Sequence, residues 1–495
     1  MPFAANFPFF CILITMFGGI LTSMVNNKWA FRINTIIISA TLVLNGSLLL
    51  FLMSDPQSIT FMMGHYPAPW GNEIRFGPLE ALMGTVFSFV TLFSLVSGKK
   101  EIFDDVKGRN IHYFYIMINL LLSSLFALIY TNDLFTAYVF VEINTISACA
   151  IVMAKENGKT LAATIRYLIM SLLGSGLFLL SIVITYGITG QLLMVPAHEA
   201  IVKLFQTGQY SIPLTVILGL VCVSMAIKSA LFPFHTWLSH AHGSATTASS
   251  AILSGLVLKG YIILLIKIIV RVVGIDIVVQ LKAVNILFVM AVLAMIIGSL
   301  DAIKENHIKR MIAFSSVAQM GYIYMGIGLG NKAGLAAACF HIIVHAVTKP
   351  MLFSAAGGLS CASGHKKDFA SLKGSAYRNP VAAVAFIIGS LSMIGIPFFA
   401  GFAAKYYLSM AAMGQGVKMW VALFALAVST VLNALYYIRA LSVIFSKKEG
   451  ESVERYKNPK TYTFAMIVFI VVNVLFGIFY QPVMNIIATG MGLLA

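Results

Sequence analysis

Apolar residues in this chain occur in long runs separated by short polar breaks. Runs of about 17 to 25 residues match the thickness of a bilayer core crossed as helix. On that criterion the sequence predicts fourteen spans, approximately 7–24, 34–53, 80–98, 113–130, 134–153, 164–188, 212–230, 249–272, 283–300, 311–330, 333–358, 380–410 with a break, 420–445 and 463–490. The first run has no basic segment before it and no small-residue cleavage site after it, so it reads as a retained helix and not as a signal peptide. The predicted class is an all-α polytopic membrane protein of about 14 transmembrane helices.

Composition agrees, because 59% hydrophobic residues, 10% charged residues and a mean hydropathy of +0.92 over 495 residues do not describe a soluble domain. The net charge of +16 is a topology signal and not a nucleic-acid footprint. Of 33 Lys and Arg, 21 lie in or beside the loops after odd-numbered spans, seven beside the loops after even-numbered spans, and five within spans. The positive-inside rule then places the odd-to-even loops in the cytoplasm and both termini outside the plasma (cell inner) membrane. The 54–79 loop, from Met62 to Trp70 and beyond, falls on the outer face.

The five cysteines, Cys11, Cys149, Cys222, Cys339 and Cys361, form no C-x-x-C pair. Iron–sulfur or zinc ligation needs clustered thiolates, and no phosphate-cradling or dinucleotide motif occurs. The chain is therefore expected to hold no cofactor or metal and to be no ATP-driven pump by itself.

Ionisable residues inside the spans carry the chemistry. Lys228, Lys259, Lys349 and Lys405 lie in apolar stretches, with Glu142 as the one carboxylate expected at equal depth. Each costs roughly 2.5–3.5 kcal/mol to insert, so a chain that keeps five uses them to move charge. Spans 7 and 12 are broken, at Lys228-Ser-Ala-Leu-Phe-Pro233-Phe-His235 and at Gly395-Ile-Pro397-Phe-Phe-Ala-Gly401-Phe-Ala-Ala-Lys405. Proline removes a backbone donor and clashes with the preceding turn. Counting spans 4–8 and 9–13 as two units puts each break fourth in its unit, and an odd number of crossings inverts the second copy, as in transporters. The predicted organisation is 1–112 with three spans, 113–282 and 283–446 as inverted five-helix repeats, and 447–495 with the last span.

These segments resemble the antiporter-like, proton-conducting membrane subunits shared by respiratory complex I, Mrp-type multisubunit cation/proton antiporters and energy-converting membrane-bound hydrogenases. The resemblance runs from about Leu121 to Phe445. It rests on Asn132-Asp133-Leu134-Phe135 leading to Val141-Glu142, Lys228 to Leu238, Ile308-Lys-Arg-Met-Ile-Ala-Phe-Ser-Ser-Val-Ala-Gln-Met-Gly-Tyr322, and His345-Ala-Val-Thr-Lys-Pro-Met-Leu-Phe353. It implies Glu142 as the conserved helix-5 glutamate, Lys228 and Lys405 as the lysines of the broken helices, and Lys259 as the helix-8 lysine. Ser239-His240 replaces the family's usual Pro-Asp, and Ser254 stands where several complex I subunits have histidine. The Leu253 to Lys259 run is more similar to the D-type Mrp subunit and its hydrogenase counterparts, and the chain stops too early for the long lateral helix of the largest complex I subunit.

The reading that follows is a proton- or sodium-translocating subunit of a larger complex. Glu142 near Lys228 would hold the lysine charged and release its proton on moving away or protonating. Charge would pass through Lys259 and through His341, His345 and Lys349, which recur every four residues on one helix face, to Lys405 as exit. His341 and His345 also read as interhelical hydrogen-bonding residues, Lys349 as a cap beside a bend at Pro350. His235, His240 and His242 read equally as entry groups or interfacial residues. Asp133 is expected to cap a helix, and Arg439 to snorkel. Partners would be other membrane subunits of an Mrp-like, hydrogenase-like or complex I-like assembly, the bilayer, and H⁺ or Na⁺. The rival is a stand-alone solute carrier, which would need a roomy pocket of mixed polar groups.

Overall fold

The computed structural model describes residues 3–67, 70–208, 210–446 and 454–494. Lys447 and Lys448, counted above as cytoplasmic, and the terminal residues Met1 and Ala495 lie outside this set. Hydrocarbon offers no partner to a free backbone N–H or C=O, so spanning segments close their hydrogen bonds internally as helices. The helices are α1 (Phe7–Ser23), α2 (Asn27–Ser54), α3 (Pro78–Asp105), α4 (Ile111–Tyr130), α5 (Leu134–Met153), α6 (Gly158–Thr189), α7 (Met194–Thr207), α8 (Ser211–Lys228), α9 (Thr236–Ser244), α10 (Thr247–Ile252) and α11 (Leu258–Lys267). They continue as α12 (Ile275–Gln280), α13 (Ala283–Lys304), α14 (Ile308–Gly328), α15 (Lys332–Cys361), α16 (Ser375–Arg378), α17 (Pro380–Ile394), α18 (Ala400–Ala412), α19 (Val417–Phe445), α20 (Lys460–Ile478) and α21 (Tyr480–Gly492).

Eleven helical stretches among the described residues are long and apolar enough to cross a membrane, namely those containing α1 to α6, α8, α13, α15, α19 and α20. The other three predicted spans fall on helical segments outside that set: the run from α10 through α11, α14, and the pair α17 and α18. The run 247–273 is continuous but passes through π-helical stretches at Leu253–Val257 and Ile268–Val273. The last predicted span, 463–490, is two helices broken at Phe479.

α15 is the axis of the molecule. It is buried along its length, and α3, α10, α14, α17, α18, α20 and α21 pack around it. Pro350 lies inside this helix without interrupting it. Its ring packs at Gly255, where a Cβ would come within 2.6 Å of Pro350 Cγ. Close approach also joins α13 to α14, since a Cβ at Gly321 would sit 2.7 Å from the Ala291 carbonyl oxygen. Small residues permit such backbone contact in helices that water does not drive together.

Two features escaped the hydrophobic pattern. The 54–79 loop holds an antiparallel hairpin, β1 (Ile59–Met62) with β2 (Glu73–Phe76), paired from Ile59 with Phe76 to Met62 with Glu73. Its second strand continues into the α4–α5 turn, where Asn132 N donates to the Glu73 carbonyl at 3.0 Å. The amphipathic α7 lies between two predicted spans, tied by Met194 N to the Asn132 carbonyl at 2.8 Å.

On the opposite, lysine-rich side the α13–α14 turn pairs with residues 367–369: Ile308 N donates to the Lys367 carbonyl and Phe369 N to the Asn306 carbonyl, both at 3.0 Å. His307 caps α14 there. Burial, then the charges of Lys309, Lys367 and Arg310, push its pKa down from 6.5 to about 4. The unfolded imidazole takes a proton at about 6.5 and the folded one resists until about 4. Stability present above pH 6.5 is thus lost as the pH falls between those values, by up to about 3 kcal/mol. His307→Asn keeps a capping acceptor and is expected to flatten the thermal-unfolding profile across that window; an unchanged profile would remove His307 from the account.

Candidate functional site

The predicted breaks are present, and each presents a lysine. α8 stops at Lys228, and residues 229–235 cross without helix before α9. Among them Ser229 shares a 2.7 Å hydrogen bond with the Tyr324 hydroxyl of α14. α17 stops at Ile394, with Gly395 at φ 92°, a left-handed conformation that glycine adopts without strain. Lys405, from the second turn of α18, reaches back and donates to the freed Ile394 carbonyl at 2.6 Å and to Thr430 Oγ1 at 2.9 Å. Lys228 thus ends the helix before its break, whereas Lys405 satisfies the break from the helix after it.

Around Lys228 the side chain is fully buried. Its Nζ donates to Thr145 Oγ1 at 3.0 Å, sits 5.2 Å from the centre of the Tyr261 ring, and stands 4.0 Å from Glu142 Oε1. That last distance is the outer limit of an ion pair and too long for a hydrogen bond. Glu142 Oε1 is buried without a hydrogen-bond partner among the described residues, while the side chain as a whole keeps 23% exposure. Tyr261 closes the group by donating to Asn144 Oδ1 at 3.0 Å.

A second group gathers on α15 and the π-helical run. Lys259 Nζ donates to the Ser254 carbonyl within the π-helical stretch. Lys349 Nζ donates to the Ile312 carbonyl at 3.0 Å, to Ser315 Oγ and to the Tyr437 hydroxyl at 3.4 Å. His345 is fully buried, both its ring nitrogens are unpartnered among the described residues, and it lies near enough to Lys259, Lys349, His341 and His242 to feel their charges. Buried polar atoms of this kind ordinarily have a partner or a water.

The third group joins α14, α15 and α18. His341 Nε2 lies 2.9 Å from Gln319 Oε1, and its ring stacks on Tyr322 at 5.4 Å. Lys405 Nζ sits 5.2 Å over that same tyrosine ring. His341 also lies within electrostatic reach of both Lys405 and Lys259, so α15 links the second group to the third.

The histidines around α9 divide. His235 Nε2 faces Asp301 Oδ2 at 3.4 Å, and His240 Nε2 faces Arg166 Nη1 at 3.1 Å, both towards the lysine-rich side. His242 differs from the interfacial reading: it is fully buried, both nitrogens are unpartnered, and it stacks on Phe353 of α15 at 4.6 Å. His242 lies on the α9 face turned to α15, within electrostatic reach of Lys309, Lys349 and Lys259.

Three further corrections concern burial. Glu142 is not the most buried carboxylate: Glu80 is 2% exposed and holds Arg271 at 3.0 Å. Lys267 and Lys309 are also buried, and both cap helix ends. Lys267 donates to the Leu128, Ile129 and Thr131 carbonyls, Lys309 to the Ala245 carbonyl at 2.8 Å. Lys267 has three carbonyl acceptors and Lys309 one, whereas Glu142 Oε1 and both ring nitrogens of His242 and His345 have no hydrogen-bond partner among the described residues. Arg439 reaches the α13–α14 turn, where it binds the Ile303 carbonyl and Asn306 and lies over Phe369. Asp133 caps α5 as expected, accepting from Thr136 N at 2.6 Å. Among the described residues no group of three or more His, Cys, Asp or Glu is arranged to hold a metal.

The transmembrane family "NADH:quinone oxidoreductase/Mrp antiporter" matches residues 131–433, the stretch that holds every residue of the three groups except Tyr437. The chain belongs to this family. NADH-quinone oxidoreductase subunit N of Desulforudis audaxviator is 32% identical over 400 residues, 80% of this chain and 77% of the relative. The Staphylococcus aureus chain named as antiporter subunit mnhD2 is 28% identical over 484 residues, 97% of this chain and 92% of the relative. The fold is shared with chains of three solved assemblies. One is an archaeal membrane-bound sulfane sulfur reductase, with TM-score 0.87 at 24% identity over 99% of this chain and 97% of that one. Another is the Mrp complex from Dietzia sp. DQ12-45-1b, with TM-score 0.87 at 22% identity over 100% and 98%. The third is respiratory complex I from Thermus thermophilus, with TM-score 0.76 at 20% identity over 97% and 100%. The antiporter-family assignment made from the motifs is therefore correct. Thr145, Tyr261, Gln319, Tyr322 and Thr430 were not picked out among the site residues, although Ser315, Gln319 and Tyr322 all lie in the quoted 308–322 block at helical spacing.

Proposed function

We propose that this chain is a proton- or sodium-translocating, D-type Mrp-like subunit of a multisubunit membrane complex, which moves ions by electrostatic and conformational coupling and holds no cofactor. One observation carries the reading: four lysines on four different helices, Lys228, Lys259, Lys349 and Lys405, two of them at helix breaks, gather into three polar groups, and the buried α15 supplies the histidines that link the second group to the third. A solute carrier would need a roomy polar pocket, which this arrangement does not favour. The D-type reading is supported by the match to mnhD2 over nearly the whole of both chains. Association with a hydrogenase or another redox module remains within the same proposal, and mass spectrometry of the copurified assembly distinguishes it: iron–sulfur subunits mean a redox-driven pump, small membrane subunits alone an antiporter.

In this reading Lys228 and Glu142 form the switch. The 4.0 Å separation leaves the carboxylate free to close on the ammonium or to turn to its exposed side. Lys259, His345, Lys349 and His341 carry charge along α15, with His242 added to them, and Lys405 is the exit. His235 and His240 lead in from the lysine-rich side. The architecture proposed with it is fourteen crossings, the repeats 113–282 and 283–446 inverted about the membrane plane between flanking segments 1–112 and 447–495, and both termini outside the plasma membrane. Cysteine placed at 107, 367 or 457 is expected to react only from the cytoplasmic side. Labelling of position 107 by an impermeant reagent outside intact cells would overturn the orientation.

A further inference from the structure

The lysine-rich side carries a cleft that translocation does not use. It has a volume of about 460 Å³ and is lined by Lys28 and Arg32 of α2, Lys99, Lys100, Phe103 and Asp104 of α3, and Pro459 and Thr461 at the start of α20. Four cations face one carboxylate. Other basic residues of this side have carboxylate partners: Lys107 pairs with Glu156, Lys155 with Asp105 and Arg310 with Glu305. None of the four cleft cations has a carboxylate within 4.0 Å among the described residues.

Aromatic residues hold three of these cations in place. Lys99 Nζ sits 4.3 Å from the centre of the Phe31 ring, the Arg32 guanidinium 4.9 Å from that of Trp29, and Lys100 Nζ donates to the Tyr456 hydroxyl at 3.0 Å. Such contacts cut the rotamer freedom that an unheld surface lysine keeps. Below the cleft the wall becomes apolar. Phe93 and Phe89 precede Lys100 along one stripe of α3, by seven and eleven residues. Phe93 meets Phe464 of α20 at 6.1 Å, and Phe464 is exposed. Excess positive charge at the level of the headgroups above an exposed aromatic wall at the level of the acyl chains fits one ligand chemistry.

We infer that the cleft between α2, α3 and α20 binds an anionic phospholipid, its phosphate among Lys28, Arg32, Lys99 and Lys100 and its acyl chains along Phe93 and Phe464. Interhelical basic pockets on the cytoplasmic side recognise anionic headgroups in this way. The leaflet rests on the orientation proposed above, but the site does not, because the cleft and wall exist in either orientation.

The test uses the purified assembly in neutral detergent, with phosphatidylglycerol, phosphatidylcholine and inorganic phosphate as probes, and native mass spectrometry with thermal unfolding as readouts. Phosphatidylglycerol is expected to be retained and to raise the unfolding temperature, phosphatidylcholine to do neither, and inorganic phosphate not to displace the lipid. Arg32→Gln and Lys99→Gln should each weaken phosphatidylglycerol retention about fivefold, the effect of one cation near a charged headgroup. Lys203→Gln, outside the cleft, should not. Equal retention of both lipids, or equal binding by the Lys99→Gln protein, would overturn the inference. So would displacement by phosphate alone, or loss of a neighbouring subunit in the variants without change in lipid retention.

Discussion

Lys228→Ala is expected to stop ion translocation while the assembly still forms. The side chain ends α8 at the break, is fully buried, and binds only Thr145 Oγ1 directly, with Glu142 at the limit of pairing. A group whose job is proton transfer typically contributes 10²–10⁴-fold to rate, so the loss should be at least about a hundredfold. Its removal does not leave Glu142 enclosed by protein, because that side chain keeps 23% exposure. Folding should therefore survive, which expression and subunit stoichiometry would show. Coupled transport at the normal rate by an assembled Lys228→Ala protein would end the proposal for this residue.

Lys405→Ala should be as damaging to transport and more damaging to structure. Its ammonium satisfies the Ile394 carbonyl that the break leaves free and also holds Thr430. Losing both bonds leaves a buried acceptor unpaired, at a cost of about 1–3 kcal/mol. Lys405→Gln separates the two effects: the amide still donates to the carbonyl but cannot carry a proton as an ammonium does. The expected result is an assembled, thermally stable Lys405→Gln protein that does not transport. Transport at wild-type rate by Lys405→Gln would reduce Lys405 to a structural cap.

The spans were legible because a bilayer forces helices of a known length, and the breaks because proline cannot donate at Pro233 or Pro397. Lys228, Lys259, Lys349 and Lys405 stood out by the cost of burying charge. The satisfied cations could not be told from them by that cost: Lys267 and Lys309 look like flank residues in sequence, and only the helix ends folding over them turn them into caps. His242 was misplaced for a related reason. Its distance along the chain from the break is that of an interfacial residue, yet its face of α9 packs inward on Phe353. Polar partners such as Thr145, Tyr261 and Tyr322 carry no charge, and threonine and tyrosine are common in membrane helices, so the pattern gave no reason to single them out. The β1–β2 hairpin and α7 lie in segments too short and too mixed to stand out against apolar runs.

The central claim is that Glu142 sets the proton affinity of Lys228. The most direct measurement is the pH dependence of ion flux in vesicles holding the purified assembly with Glu142→Gln, Lys228→Ala or both. Removing the carboxylate takes away charge that favours the protonated lysine. Glu142→Gln is therefore predicted to move the flux profile to lower pH and to slow transport, with Glu142→Asp falling between it and the wild type. The double variant should be no worse than Lys228→Ala alone, because residues in one interaction are not additive. A Glu142→Gln protein with the wild-type rate and pH profile would contradict the account and leave Glu142 a structural residue.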